Sequence, residues 1–268
     1  MKISIITIVY NRRHCIAHCI QSVLDQTYPD VEHIIIDGGS TDGTQEEIEK
    51  YRDKLAYYIS EKDEGVFDAY NKGIKNATGD IVGVLNSDDF FFESDTLQKV
   101  ANAFKASGAD LVYAKGLFVD QEHPERIKRV YSSKPFNKKF LFYGWIPLHT
   151  TIFVRREIFA AYGVYNDGYT IASDYEISLR WFSNNDLEKH FLDEWVVKMR
   201  LGGLSTSAKL QIQKSKEDLR IIKMYKLNGV FTLACKIARK IPQYLLPLIK
   251  DVTKEKSYNK LSGTVSTH

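Results

Sequence analysis

The chain has 268 residues, 44% hydrophobic and 26% charged, with a formal net charge of +3, which suits one large domain or a domain with an appendage and gives no reason to expect a nucleic-acid partner. Three cysteines, Cys15, Cys19 and Cys235, exclude a disulfide framework and point to a reducing compartment. The apolar start Ile3 to Val9 is too short for a signal peptide and runs into Asn11-Arg12-Arg13, and no apolar run reaches transmembrane length, so a cytoplasmic protein is expected.

Ile3 to Val9 is dense in β-branched residues and predicts a central parallel strand. A polar loop, Tyr10 to Arg13, leads into a helix with apolar positions Ile16, Ile20, Val23 and Leu24, stopped by Tyr28-Pro29-Asp30. His33 to Asp37 predicts a second strand, Gly38 to Thr44 a loop with a helix start signal, and Gln45 to Lys54 a helix. A strand near Leu55 to Ser60, a helix over Val66 to Asn76 and a strand over Ile81 to Leu85 follow. This alternation through residue 110 predicts a doubly wound, mostly parallel α/β sheet. Later, Leu111 to Ala114, Leu117 to Val119, Thr150 to Val154 and Leu192 to Met199 read as strands. Arg156 to Tyr162 and Asp174 to Ser183 read as helices, and Arg126 to Trp145 as a Lys- and aromatic-rich loop. Gly202-Gly203-Leu204-Ser205 opens a Lys-rich helical tail, broken at Pro242 and Pro247, with a disordered end.

The strand Ile81 to Leu85 ends in Asn86-Ser87-Asp88-Asp89. Carboxylates at a strand's carboxyl end lie where open α/β sheets bind ligands, and Mg²⁺ or Mn²⁺ favours such oxygens together with substrate phosphates. The competing reading is a solvated turn capping the next helix. In the first loop Tyr10, with Thr7 and Asn11, can stack on a base or simply pack on the helix. Asp37, followed by two glycines, can accept hydrogen bonds from a nucleobase imide or a ribose hydroxyl. No G-x-G-x-x-G occurs in the first turn, which argues against a nicotinamide enzyme. Asp68, Asn71 and Lys72 share adjacent helical turns and form either a solvated ion-pair face or the wall of a sugar or diphosphate site.

Five segments in order, Ile5 to Asn11, Ser22 to Pro29, Ile35 to Thr44, Asp68 to Gly73 and Ala77 through Asp89, closely resemble glycosyltransferase family 2 over residues 1–205. The resemblance implies a GT-A fold, Rossmann-like and flanked by helices, with a nucleotide-sugar-binding half (1–110), an acceptor-binding half (111–205) and a basic helical extension (206–268). It also implies a nucleotide-diphosphate sugar donor, a divalent cation (Mg²⁺ or Mn²⁺) and inversion at the anomeric carbon. Carried over residue by residue, Thr7, Tyr10 and Asp37 hold the nucleoside, and Asn86-Ser87-Asp88 falls on the D-x-D metal motif with Asp88 as the metal carboxylate. Asn86 departs from the usual first aspartate, and Gly38 from a frequent second one. Ile171 to Trp181 resembles the family's E-D segment, with Ser173 at the first acidic position and Asp174 as catalytic base; Glu176 is the substitute if Asp174 only caps its helix. His149 resembles a position near the donor phosphates or acceptor, or is a satisfied core histidine.

His14-Cys15 and His18-Cys19 have a zinc-compatible spacing but lie beside the apolar stripe, where buried cysteine packs as a small hydrophobe. Val230 to Ile241 sets aliphatics beside Lys236, Arg239 and Lys240, which suits peripheral contact at the inner membrane face or packing on its own domain or a homodimer partner. The expected function is inverting transfer of a sugar, UDP-linked for preference, to a hydroxyl of a glycan or lipid-linked glycan in surface polysaccharide assembly. The alternatives are a sugar-phosphate nucleotidyltransferase and an inert nucleotide-sugar-binding scaffold.

Overall fold

Strand β1 (Ile3–Val9) sits between β2 (Val31–Asp37) and β4 (Ile81–Val84), parallel to both, and β3 (Tyr57–Ser60) continues in parallel beyond β2. The β-branched sequence of β1 suits this place, because a central parallel strand is covered on both faces. Its residues alternate. Ile3, Ile5 and Val9 pack toward α1 (Arg13–Leu24), α2 (Thr44–Glu49) and α4 (Thr96–Ser107), while Ile6 joins Ile34 and Ile36 against α3 (Val66–Asn76). The computed structural model describes residues 1–202 and 208–249. The expected junction at 205/206, the Gly203-Leu204-Ser205 opening and the disordered end lie outside the described residues.

Beyond β4 the sheet becomes mixed. Next come β8 (Ile152–Arg155), β6 (Leu111–Val119), β9 (Lys189–Arg200) and the short β5 (Phe90–Phe91), with β7 (Ile127–Tyr131) antiparallel to the second half of β6. The two strands expected over 111–119 are therefore one. The expected loop over 126–145 contains β7 and the short α5 (Lys139–Phe142). β7 buries only Val130 fully, so its Ile-Lys-Arg-Val-Tyr sequence carries little alternation to read. α6 (Arg156–Tyr162) and α7 (Ser173–Ser183) follow the expected bounds closely.

The tail forms α8 (Ala208–Met224), α9 (Gly229–Ala238) and α10 (Lys240–Ile249). Ile221 and Ile222 of α8 are fully buried in the same cluster as residues of α3 and α7, so this segment completes the core on that face. Pro242 lies in the first turn of α10, where no N–H is missed, and Pro247 lies inside the helix without ending it there. Among the described residues no helix is long and apolar enough to cross a membrane.

Candidate active site

The carboxyl ends of β1, β2 and β4 converge on one crevice. Asn11 turns the first loop through a left-handed conformation (φ 51°), which asparagine tolerates better than most residues. Its Oδ1 accepts the Thr41 N–H at 2.9 Å, and its own N–H donates to Ser40 Oγ at 2.8 Å, which ties the first two loops together. Asp37 is fully buried and accepts from Ser40 N–H (3.0 Å), the Ser40 hydroxyl and the Ser60 hydroxyl. Its oxygens organise the loop and do not face the crevice. Thr7 is likewise enclosed: by the strand's alternation it points toward α1, with Oγ1 3.0 Å from His33 Nε2 and 3.7 Å from Cys19 Sγ. Tyr10 is the opposite case, with 60% of its surface exposed at the mouth.

The Asp68-Ala-Tyr-Asn-Lys-Gly73 segment works as a clamp. Lys72 pairs with Glu61 (2.7 Å) and Asp68 (3.1 Å), and Asp68 also accepts the Glu64 N–H at 3.1 Å, which pins the loop after β3. Asn71 exchanges two hydrogen bonds with the backbone of Tyr165, 2.9 and 3.0 Å, as a strand neighbour would. Tyr70 donates to Asn86 Oδ1 at 2.5 Å and stacks on Tyr165 with ring centroids 5.0 Å apart. Asp68, Asn71 and Lys72 therefore hold the walls of the site, and Tyr70 joins those walls to its floor.

On that floor, the Asn86 amide donates to Asp89 Oδ2 at 2.8 Å. Asp89 is 1% exposed, and burial together with the Asp88 charge pushes its carboxyl well above the usual range; the Asn86 amide and the Arg200 backbone N–H only partly offset this. Ser87 is buried between them. Asp88 lines a cavity of about 160 Å³ with Asn11, Arg12, His14, Cys15 and Arg200 among its walls. Burial raises its carboxyl, and Arg12 and Arg200 pull against that. Arg200 also donates to the Asp88 carbonyl at 2.7 Å. Among the described residues no cluster of three His, Cys, Asp or Glu side chains could hold a metal. Asp88 supplies one carboxylate, while Asn86 is engaged by Tyr70 and Asp89. That donor set fits a Mg²⁺ or Mn²⁺ ion completed by diphosphate oxygens and water, the usual manner for Mg²⁺. It does not fit an ion caged by protein alone. Cys19, with its Sγ on the Asn86 carbonyl at 3.3 Å, belongs to the core beneath this loop.

The acceptor side is built on α7. Its N-cap is Ala172, whose carbonyl accepts the Tyr175 and Glu176 N–H groups, and Glu217 of α8 takes the N–H groups of Thr170, Ile171 and Ala172 at 3.2, 2.9 and 2.9 Å, which ties the entry to α7 onto α8. Asp174 lies inside the first turn and is not the N-cap. One oxygen accepts the adjacent Tyr175 N–H at 2.8 Å. Burial pushes its carboxyl up, but Lys214, His149 and Lys236 more than reverse this and hold it below the usual carboxylate range. His149 shares a hydrogen bond with Tyr165 and packs edge-on to Tyr70 at 5.8 Å; burial lowers its pKa, and the Asp174 charge pulls against that. Glu176 does not reach this group. It is 3% exposed, paired with Arg180 and accepting from Tyr225 OH at 2.7 Å, and so braces α7 on α8.

The structure lines one cavity with Asn11 and Asp88, links Asn86 through Tyr70 to Tyr165 and His149, holds Asn71 on Tyr165 and Lys72 on Asp68 and Glu61, and turns Thr7, Asp37 and Glu176 inward. Arg12, Tyr70, Tyr165, Arg200, Lys214 and Lys236 were not foreseen. Tyr70 lay inside a recognised motif, but Arg200 and Lys214 carry no local pattern and meet the site only through the fold. Lys236, on the helix expected either at a membrane or packed on its own domain, turns inward to Asp218 at 2.7 Å and over the Tyr175 ring, because a buried carboxylate needs a partner.

Comparison with known proteins agrees with this arrangement. Residues 4–163 match the family model Glycosyl transferase family 2. A PGL/p-HBAD biosynthesis glycosyltransferase of Mycobacterium bovis (strain BCG / Pasteur 1173P2) is 32% identical over 210 residues, covering 76% of this chain and 79% of the relative. Among solved structures, S. aureus TarS 1-349 in complex with UDP-GlcNAc superposes with a TM-score of 0.65 at 20% identity, covering 98% of this chain and 77% of that one. The mannosyltransferase PcManGT of Pyrobaculum calidifontis, in complex with GDP-Man and Mn²⁺, gives 0.60 at 16% identity, covering 97% and 80%. These neighbours share the GT-A fold. The chain belongs to glycosyltransferase family 2, and it is a glycosyltransferase.

Proposed function

We propose that the protein transfers a sugar with inversion from a UDP-linked donor to a hydroxyl of a glycan or lipid-linked glycan during surface polysaccharide assembly, with Asp174 as the base. The observation that carries this reading is the chain of contacts from the donor loop to His149, whose ring lies near enough to Asp174 to act on its charge. Asn86 holds Tyr70, Tyr70 packs on His149 and Tyr165, and the His149 ring influences Asp174 directly. A carboxylate already ionised at neutral pH, close to a group that reaches the donor loop, can take the proton of an acceptor hydroxyl as its oxygen attacks the anomeric carbon. Asp88 would hold Mg²⁺ or Mn²⁺ with the donor diphosphate, and the cation supplies positive charge to the leaving group when bound. Arg12 and Arg200 add fixed positive charge beside it. The TarS complex with UDP-GlcNAc supports a UDP donor.

Asp174→Asn tests the assignment. We expect transfer to a lipid-linked glycan acceptor to fall about 10²- to 10⁴-fold while UDP affinity stays within twofold. Normal turnover by the variant removes Asp174 as the base, and release of pyrophosphate from nucleoside triphosphate and sugar phosphate would make the protein a nucleotidyltransferase. A peripheral membrane contact is supported by the exposed aliphatic and aromatic face of Val230, Phe231, Ile237, Ile241, Tyr244 and Leu248 on α9 and α10. Co-flotation with anionic liposomes tests it, and a dimer that buries this face in solution is the outcome that would replace it.

A further inference from the structure

We infer that Asp63 reads the nucleobase of the donor and selects bases that carry a ring N–H on their pairing edge, as uracil does, over cytosine and adenine. The inference rests on the proposed nucleotide-sugar site and deepens it. A ring N–H that leaves water needs an acceptor, and an ionised carboxylate is acceptor only. Three aspartates stand near the ends of β2 and β3, and Glu61 beside them pairs with Lys72 at 2.7 Å. Asp37 is fully buried and spent on Ser40 and Ser60. Asp42 accepts from the backbone of Thr44 (3.0 Å) and of Arg13 (3.2 Å). Asp63 uses only Oδ1, on the Gly65 N–H at 3.0 Å, and no hydrogen bond to Oδ2 forms among the described residues.

Oδ2 lies against Gly38. A Cβ at position 38 would overlap it and would stand 3.1 Å from Asp63 Cγ and 3.5 Å from Tyr10 Cδ2. The absent side chain at 38 is thus what lets the Asp63 carboxylate lie on the loop beside the exposed Tyr10 ring. That ring can take the face of a base while the carboxylate takes its edge. The carboxylate is also preorganised. The Glu61 N–H donates to the Asp37 carbonyl at 3.0 Å, and the Glu64 N–H to Asp68 at 3.1 Å, so the loop is fixed on both sides of Asp63.

The test is calorimetric titration of the full chain with UDP and CDP in the presence of Mn²⁺. The wild type should favour UDP. Asp63→Ala should lose roughly 10- to 100-fold in UDP affinity and most of the UDP/CDP preference, as when a charged hydrogen bond is removed. Asp63→Asn keeps an acceptor for Gly65 but presents an N–H₂, and should shift the preference toward CDP, whose ring nitrogen accepts. Because a side chain at 38 claims the same space, Asp63→Gly combined with Gly38→Asp should restore UDP affinity to within a few-fold, which a merely structural role of Asp63 would not allow. Retention of UDP affinity and of the UDP/CDP ratio in both single variants would overturn the inference and leave the donor site intact. Failure of the wild type to bind either nucleotide would overturn the nucleotide-sugar reading itself, and this inference with it.

Discussion

Two carboxylate groups at opposite ends of the same parallel strands are equally hidden from water and electrostatically unlike. At the amino end, Glu32 is 5% exposed and accepts from Lys2 Nζ (2.5 Å), Ser4 Oγ (2.5 Å), Thr78 N–H (2.6 Å), Thr78 Oγ1 (2.7 Å) and Gly79 N–H (3.0 Å). Burial pushes its carboxyl up, but Lys2, Ser4 and Thr78 bring it down to about 2. At the carboxyl end, Asp89 is 1% exposed, has the Asn86 amide as its side-chain partner, and lies beside the Asp88 charge, which drives its carboxyl up. Burial raises both, so what separates them is the donor set and the Lys2 charge at Glu32 against the Asp88 charge at Asp89. The lower cluster is complete within the chain and serves stability. The upper one sets two carboxyls side by side with few donors and with Arg12 and Arg200 nearby, which under the proposed function is where a cation and a diphosphate would meet.

The largest expected effect comes from the upper cluster. Asp88→Asn removes the one carboxylate that would hold the cation, and should lower kcat/KM by about two to three orders of magnitude and abolish any Mn²⁺ enhancement of UDP binding. The same change relieves repulsion with Asp89, so Tm should hold or rise. A fall in Tm without loss of activity would reverse the distinction between the two ends.

Glu32→Gln should do the converse. Its carboxyl shifts from 4.5 to about 2 on folding, equivalent to at most roughly 3 kcal/mol of stability. A depressed folded pKa stabilises fully above the unfolded value, and that contribution disappears as pH falls from about 4.5 toward about 2. Wild-type Tm should therefore drop more steeply than that of Glu32→Gln across this window, while kcat at neutral pH and permissive temperature stays unchanged. Parallel pH profiles for the two proteins would show that Glu32 contributes nothing through its charge.

The same contrast explains what could be read from the chain. The parallel half was legible because β1, β2 and β4 are short β-branched runs separated by turn chemistry, and their carboxyl ends had to be adjacent. The motif Asp68 to Gly73 was legible as a unit, but not which of its side chains hold walls, since Asn71 meets Tyr165 across a sequence separation of 94. Thr7 illustrates a finer failure: alternation puts Thr7 on the face of Ile5, and only the position of α1 shows that this face is covered by a helix. Glu217 and Lys214 lie on a helix whose Lys-rich sequence reads only as a helical tail. Lys214 acts on Asp174 and Glu217 holds the turn before α7 because Ile221 and Ile222 pull that helix into the core.

The two ends are coupled by how closely α3 lies on β1, and Gly73 sets that distance. A Cβ there would overlap Ile6 Cγ2 and stand 3.3 Å from Ile6 Cγ1 and 3.4 Å from its Cβ, in a strand buried on both faces. Gly73→Ala gains about 0.5–1 kcal/mol of helix propensity but loses about 1–3 kcal/mol to overpacking, for a small net destabilisation. If α3 yields by sliding outward, Tyr70 and Asn71 move with it, and activity should fall several-fold although no substrate-facing group has changed. Trimming the obstacle separates the two costs. In Gly73→Ala/Ile6→Ala the added methyl occupies part of the space vacated at Ile6, so the double variant should be more stable than the sum of the single changes predicts, by more than about 0.5 kcal/mol. Additive losses in chemical denaturation would mean that α3 and β1 are not in the contact that positions Tyr70 over Asn86.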